Sequence, residues 1–541
     1  MKQERDKSFG TIRSYVWPIY AHEFKKLMPM LIMLFCVCFN YSILRNLKDS
    51  ILVTENSSGA AVIPFIKVWV MLPAAVIATI IFTHLSNRYS RKTVFHVIIL
   101  SFLAFFFLFA VYIYPQRDAL HPHAFADFLE NSLPSGFKAL ISMIRYWTLT
   151  CFYVMSELWG SIVLTVLIWG FANEVTRLSE ANRFYSALSI GANISPIIAG
   201  QVAVLFSSTS FNPLLFFGQD AWEQSLFKLI ILVIISGLCI LLSFNWMTKN
   251  VLNDKEKHVE QDSPLQTKKK LGFRESLKLV SRSKYLLCIA ALVISYNLVI
   301  GLVEVIWKDQ LRVLYPLANE FNIYINNLTS LMGIISTTAA LLMVGILSKL
   351  GWTRTALATP LVLLVTSLAF FTCILAKDSL APIVSIFLGT TPIAIAVFLG
   401  SLQNCFSKAA KYSLFDTTKE MAFIPLGSDE KLKGKAAIDG IGSRLGKSGS
   451  ACIHQGLYFI FCSLSASTPF VAIALLAAIA LWIVAVLSLG KQFDTKRNDQ
   501  TVPAPTPLSS DTLSSSLQPA LISKDTFSRV SIVEAKPVSV S

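Results

Sequence analysis

The run LMPMLIMLFCVCFNYSILRNLKD, residues 27–49, decides the fold. A bilayer crossing takes about 20 apolar residues, and this stretch supplies nearly that many before reaching Arg45, Lys48 and Asp49. Comparable apolar runs recur along the chain at 62–83, 93–114, 138–172, 184–207, 225–247, 285–307, 325–348, 355–376, 380–407, 437–463 and 468–490. Across 541 residues, 54% are hydrophobic and 15% charged, where a soluble globular chain carries about 25% charged residues. The mean hydropathy is +0.60. A soluble enzyme, a disordered chain and a fibrous one are excluded, and the expected class is an all-α integral membrane protein of about twelve transmembrane helices.

The basic residues order those helices. Short cytoplasmic loops collect Lys and Arg, and here Lys2, Arg5, Lys7, Arg13, Lys25 and Lys26 precede the first run. Arg88, Arg91 and Lys92, then Arg177 and Arg183, then Lys349 and Arg354, then Lys408, Lys411, Lys419, Lys431, Lys433 and Lys435 fall on the same side. The opposite loops hold only Arg117, Lys308, Arg312 and Lys377. The alternation predicts cytoplasmic termini and a single, strongly tilted or protruding span at 138–172. The N-terminal segment 1–26 mixes both charge signs and runs straight into an apolar stretch, so the first span reads as retained. A basic linker, 248–284, carries Lys268, Lys269, Lys270, Arg274, Lys278 and Arg282 and divides a six-helix half at 27–247 from another at 285–490. Two such halves around a midplane site are the layout of major-facilitator-like secondary transporters. A weak internal echo agrees: Phe171-Ala-Asn-Glu174 leading to Gly191-Ala-Asn193, and Phe415-Asp-Thr-Thr418 leading to Gly442-Ser-Arg444. The Ser-, Thr- and Pro-rich tail, 491–541, reads as disordered.

Ionisable side chains inside apolar spans carry the functional reading, because a charge at mid-helix costs on the order of 2.5–3.5 kcal/mol. Arg45, Lys48 and Asp49 share one helical face by i,i+3 and i,i+4 spacing, either as a snorkelling belt or facing the interior. Glu157, in Tyr153-Val-Met-Ser-Glu157-Leu-Trp159, lies mid-span and either pairs across helices or stays protonated. Glu304 and Lys308 form an i,i+4 pair with the acid leading; a local salt bridge is the plain reading, and Glu304 is the better gate or proton-responsive group. Asp49, Glu157, Glu304 and Lys308 are thus the candidate coupling residues. Arg444 and Lys447 stand one turn apart on a Gly- and Ser-rich helix. With Arg45 and Lys48 they predict a cavity for a polyanion, since unpaired cations offer charge-assisted bonds to phosphate oxygens. Tyr41, Tyr153, Trp159 and Trp169 present rings, and Asn173 and Asn193 present amides, to a base or ribose, although each ring also suits plain packing. His454 suits a proton shuttle or helix packing.

Other classes fit less well. Gly446-Lys447-Ser448 imitates the end of a phosphate-binding P-loop, but that motif needs Gly where Ile441 stands, and a preceding strand. No Asp-rich, HxxxH or Ser/His/Asp grouping suggests an enzyme. The nine cysteines lack pairing or metal-ligand spacing, so no disulfide, metal or cofactor is expected. The net charge of +15 is assigned to the lipid bilayer and an anionic ligand, not to nucleic acid.

Several motifs together resemble the ATP/ADP translocase-type nucleotide transporters of chlamydiae and plastids: Lys48-Asp49, Ser156-Glu157-Leu-Trp-Gly-Ser161, Trp169-Gly-Phe-Ala-Asn-Glu174, Val303-Glu304-Val-Ile-Trp-Lys308, Phe415-Asp-Thr-Thr-Lys-Glu-Met421, and Lys433-Gly-Lys-Ala-Ala-Ile-Asp439 with Arg444-Leu-Gly-Lys-Ser-Gly449. The resemblance covers the chain up to the tail. It implies movement of nucleoside di- and triphosphates across a bacterial inner membrane, by exchange of ATP for ADP plus phosphate or by proton-coupled uptake, and assigns functional weight to Lys48, Glu157, Glu304 and Lys447. The exchanging members carry an acid where this chain has Asn46 and an amide where it has Gly301. Those departures tip the expectation toward proton-coupled nucleoside triphosphate import, with strict exchange as the alternative and a major-facilitator carrier of another organic anion as the remote one.

Overall fold

The computed structural model describes Tyr20 and residues 23–176, 178–208, 210–251, 273–343 and 350–501. Most of the N-terminal segment, Arg177, the linker cations Lys268, Lys269, Lys270, Lys349 and the tail beyond 501 lie outside the described residues. Among those described there are helices and no strand. That outcome follows from the solvent, because lipid offers no hydrogen bonds and a helix satisfies its own backbone.

The long helices are α1 (Phe24–Glu55), α2 (Gly59–Arg88), α3 (Arg91–Ile113), α6 (Trp147–Val175), α7 (Leu178–Phe206), α8 (Ala221–Asn250), α10 (Lys284–Leu314), α11 (Ala318–Met343), α12 (Trp352–Leu375), α14 (Pro392–Ala422), α15 (428–461) and α16 (Leu464–Thr501). Shorter pieces are α4 (His123–Ser132), α5 (Lys138–Arg145), α9 (Phe273–Arg282) and α13 (Lys377–Leu388). Ten of the long helices are apolar enough to span a membrane. Adding α11 and α15, which are as long but more polar, gives the expected twelve. The chain divides at Asp494, and the second unit is described only through the last turns of α16.

Helix α1 is the axial element, packed against α6, α7, α8 and α11. The outward faces remain apolar: Val76, Ile77, Ile80 and Ile81 of α2 are all more than half exposed, as a lipid-facing surface requires. The polarity of α11 has a partner on α1. Asn46 Nδ2 donates to Asn326 Oδ1 at 2.8 Å, and Ser50 Oγ donates to Asn322 Oδ1 at 3.1 Å.

Two expected spans are built differently. The run at 138–172 is interrupted at Tyr146 (φ −103°, ψ 48°), which separates α5 from a 29-residue α6. It remains a single crossing, and its excess length is α5. The run at 380–407 breaks at Gly389, whose φ of 60° belongs to the left-handed region that glycine adopts without strain. Helix α14 restarts with Pro392 in its first turn and with Thr391 Oγ1 accepting from the Ala394 amide at 3.2 Å. The restart carries the helix on to Ala422, so Lys408, Lys411 and Lys419 lie within it and not in a loop.

Segments with π-type turns interrupt α2 at Ile66–Val70, α6 at Trp159–Ile168, α14 at Lys411–Phe415 and α15 at Ile438–Gly442. Such turns are frequent at functional sites, and these four contain or adjoin Lys67, Glu157, Lys411 and Arg444.

Candidate functional site

A charge chain crosses the bundle. Because α1 continues to Glu55, Lys48 and Asp49 lie well inside it and are 2% exposed each, which removes the interface-belt reading for them. Glu157 Oε1 of α6 lies 3.0 Å from Lys48 Nζ, and Lys48 Nζ lies 3.0 Å from Asp49 Oδ1. Asp49 Oδ2 then meets Lys308 Nζ of α10 at 2.8 Å, Lys308 Nζ meets Glu304 Oε1 at 2.7 Å, and Glu304 Oε2 meets Lys67 Nζ of α2 at 3.3 Å. Three carboxylates alternate with three ammonium groups, and the sequence sums to zero charge. Burial of unpaired ions costs several kcal/mol each, so alternation is what allows these groups to sit here. The Glu304–Lys308 salt bridge is present as expected, but Lys308 also reaches α1. Lys67 was invisible to motif reading, although a lone lysine inside the apolar run 62–83 was its signal.

Lys48 is therefore committed to carboxylates and is not a free phosphate ligand. Beneath it lies Tyr153, with the ammonium 3.8 Å from the ring centroid, a cation–π contact. Tyr153 is 1% exposed, so its ring supports Lys48 and is closed to a nucleobase.

A second group of cations has no such partners. Arg45 of α1, Lys408 and Lys411 of α14 and Lys447 of α15 form no ion pair within 4.0 Å among the described residues. They share one electrostatic neighbourhood with the acids of the charge chain: Lys408 senses Arg45, Lys411 and Glu304, Lys447 senses Lys411, Lys67, Glu157 and Glu304, and Arg45 senses Asp49, Glu157 and Glu304. Arg45, Lys408 and Lys411 are half-buried and Lys447 is exposed. Tyr41 senses both Arg45 and Tyr412, and packs over Gly160, where an added Cβ would come within 2.6 Å of its ring. Lys408 and Lys411 escaped the sequence reading because a lysine in a loop and one in the last turns of a span give the same positive-inside signal.

The remaining expectations part from this site. Arg444 is exposed and joins no ion pair among the described residues. Asn173 accepts from Tyr185 Oη at 2.8 Å, beside the Trp169–Tyr185 edge contact, and Asn193 is exposed on α7. Trp159 is wholly buried against Phe102 and Phe106, its indole donating to Val37 O at 3.2 Å. His454 is buried, with Nε2 3.2 Å from Leu302 O, the packing role.

Polar contacts between residues 24–250 and 284–494 gather where α1 ends and α2 begins. Besides the charge chain they include Asn322 Nδ2 to Ser207 Oγ at 2.9 Å, Ser330 Oγ to Ile197 O at 2.9 Å and Gln455 Nε2 to Pro64 O at 2.8 Å. At the other end, the described ion pairs stay within one segment: Lys26–Glu180 at 2.8 Å, Lys419–Asp439 at 2.9 Å and Lys435–Glu420 at 2.5 Å.

Comparison with known proteins agrees with this arrangement. The family model described as TLC ATP/ADP transporter matches residues 2–493. The chain is 43% identical over 497 residues to ADP,ATP carrier protein 1 of Chlamydia pneumoniae, covering 91% of this chain and 96% of that one. It is 40% identical over 497 residues to the chloroplastic ADP,ATP carrier protein 1 of Arabidopsis thaliana, covering 92% and 78%. In fold it is similar to a bacterial homologue of the iron transporter ferroportin in its inward-facing state, with a TM-score of 0.54 at 13% identity over 87% of this chain and 100% of that one. A multi-pass bundle with a charge chain and an unpaired cation group, matched in sequence along almost all of the described residues, has one assignment: the chain belongs to the TLC ATP/ADP transporter family.

Proposed function

We propose that this protein is a bacterial inner-membrane carrier that exchanges nucleoside triphosphate for diphosphate by alternating access. The observation that carries the reading is the set Arg45, Lys408, Lys411 and Lys447, four cations from three helices without a carboxylate partner among the described residues. An empty site of this kind repels itself, and a phosphate chain relieves the repulsion. The halves 27–247 and 285–490, joined by the linker 248–284, would rock about it. The positive-inside pattern of the sequence supports cytoplasmic termini, and on that orientation the charge chain would tie the two halves at the outer end.

Exchange follows from the same repulsion, because closing the halves around unneutralised cations is costly and only the loaded carrier turns over readily. The two departures that favoured proton-coupled import lie at helix seams. Asn46 bonds Asn326, and a Cβ at Gly301 would meet Ser450 Oγ at 2.1 Å. Neither removes a group from the cation site. Proton-coupled uptake keeps one supporting observation: Glu157 ends the charge chain, is 31% exposed on its side chain and has Lys48 as its one ion-pair partner among the described residues. Its protonation would leave Lys48 still paired with Asp49.

Reconstituted vesicles separate the two modes. Uptake of labelled ATP that requires internal ADP or ATP and ignores an imposed pH gradient is the expected result. Uptake into empty vesicles driven by an inward proton gradient would replace exchange by symport. Uptake of neither nucleotide in either format would defeat the functional assignment.

A further inference from the structure

Outside the bundle, between α3 and α6, the helical turn Arg117–Leu120 and the first residues of α4 bring Asp118, His121 and His123 together, with one ligand atom from each within 4.8 Å of the others. We propose that Asp118, His121 and His123 form a binding site for a borderline divalent transition metal such as Zn2+. The cluster alone would be an ordinary loop feature; the orientation of His121 makes it more. This ring is 6% exposed, and its Nε2 lies 2.7 Å from Thr148 Oγ1, at the start of α6. Its Nδ1 is buried with no hydrogen-bond partner among the described residues. A buried ring nitrogen left without a partner is uncommon; His454 Nδ1 is another among the described residues, but only His121 has a second imidazole and a carboxylate gathered beside it. An imidazole held through one nitrogen by an oxygen, with the other free, is the usual disposition of a metal-bound histidine.

The surroundings favour the same ligand. Two imidazoles and a carboxylate suit Zn2+ and its neighbours more than Mg2+ or Ca2+, which take oxygen ligands. The adjacent Arg117 is turned away, its guanidinium 2.8 Å from Glu223 Oε1 and 3.4 Å from Glu55 Oε2. Tyr146 presents its edge to both imidazoles, with centroids 5.2 Å from His121 and 6.3 Å from His123, and Trp147 Nε1 donates to Leu120 O at 2.9 Å. The loop side of the site is thereby tied to α6. Zinc bonds of about 2.0–2.1 Å require the exposed Asp118 and His123 side chains to swing inward, and among the described residues no hydrogen bond or ion pair of either side chain opposes that. The Asp-x-x-His-x-His order is not one of the common metal-ligand spacings, which is why no metal was expected.

The test is Zn2+ titration of the purified, chelator-stripped full chain, read by calorimetry and by thermal stability. Because His121→Ala also removes the Thr148 contact and endangers folding, His123→Ala and Asp118→Asn are the deciding variants. Wild type should bind one Zn2+ per chain and melt at higher temperature with it, and each variant should weaken binding by about tenfold or more while melting normally without metal. Zn2+ bound equally well by both variants would place the metal on cysteines elsewhere and overturn the site. Failure of wild type to bind at millimolar Zn2+ would overturn it too.

Discussion

Removing the central acid of the charge chain should be costly in a calculable way. Asp49 bonds Lys48 at 3.0 Å and Lys308 at 2.8 Å, and the side chains of all three are at most 3% exposed. Breaking a buried ion pair from one side costs about 3–5 kcal/mol, because a charge is stranded. In Asp49→Asn each lysine keeps one carboxylate, Glu157 for Lys48 and Glu304 for Lys308, and the asparagine oxygen still accepts one bond. The expected loss is therefore lower, about 2–3 kcal/mol. Adding Lys308→Met reduces the three acids and three bases to two of each, Glu157 with Lys48 and Glu304 with Lys67. The double variant should recover about 1–2 kcal/mol relative to the sum of the singles. Unfolding in mixed micelles by increasing SDS, with helicity as the signal, gives these differences. Asp49→Asn within about 0.5 kcal/mol of wild type, or strictly additive singles, would show that the alternating chain is not an energetic unit.

Other perturbations bear on other parts of the account. Lys67→Gln breaks only the partly exposed Glu304 pair, so stability should change by less than about 1 kcal/mol. Cysteine labelling at the end where α1 meets α2 should nevertheless increase, because one tie between the segments is gone. Gly301→Ala should cost about 1–3 kcal/mol by overpacking against Ser450 Oγ, and Ser450→Gly should restore most of it in the same SDS assay. Acidification should loosen the loop that carries His121. Its folded value near 4 lies below the ordinary 6.5, so its neutral form contributes stability above about pH 6.5 that is lost as pH falls toward 4. Asp118 opposes this shift, while Arg117 and His123 favour it. Hydrogen exchange of residues 117–123 at pH 7 and pH 4.5 reads the effect, and equal protection at both would contradict it.

Much of the bundle was legible because lipid leaves a protein few choices. Apolar runs of sufficient length become helices, and the runs at 27–47 and 285–307 proved to be the middle of longer helices that continue through their charged ends. The breaks were harder to see. Gly389 and Pro392 are ordinary turn signals, yet the apolar run around them masked the restart that carries α14 to Ala422. That error moved Lys408 and Lys411 out of the site and into a loop. The charges Lys48, Asp49, Glu157, Glu304 and Lys308 were found from their cost in an apolar span. Apart from the i,i+4 bridge of Glu304 and Lys308, their pairing was beyond reach, because Lys48 meets Glu157 and Asp49 meets Lys308 only through tertiary packing. Two of the four rings are placed away from a ligand for a related reason. Trp159 and Tyr153 are where a ring could serve a base, but burial spends one on packing and the other on Lys48.

The central claim is that cations without carboxylate partners hold the phosphate chain, and the affinity ratio of ATP to adenosine in purified wild type and Lys447→Gln tests it directly. A charge-assisted hydrogen bond is worth about 1.5–3 kcal/mol, so the variant should bind ATP at least about tenfold more weakly while binding adenosine as wild type does. Equal loss for both ligands, or ATP affinity unchanged in Lys447→Gln and likewise in Lys408→Gln, would contradict the account.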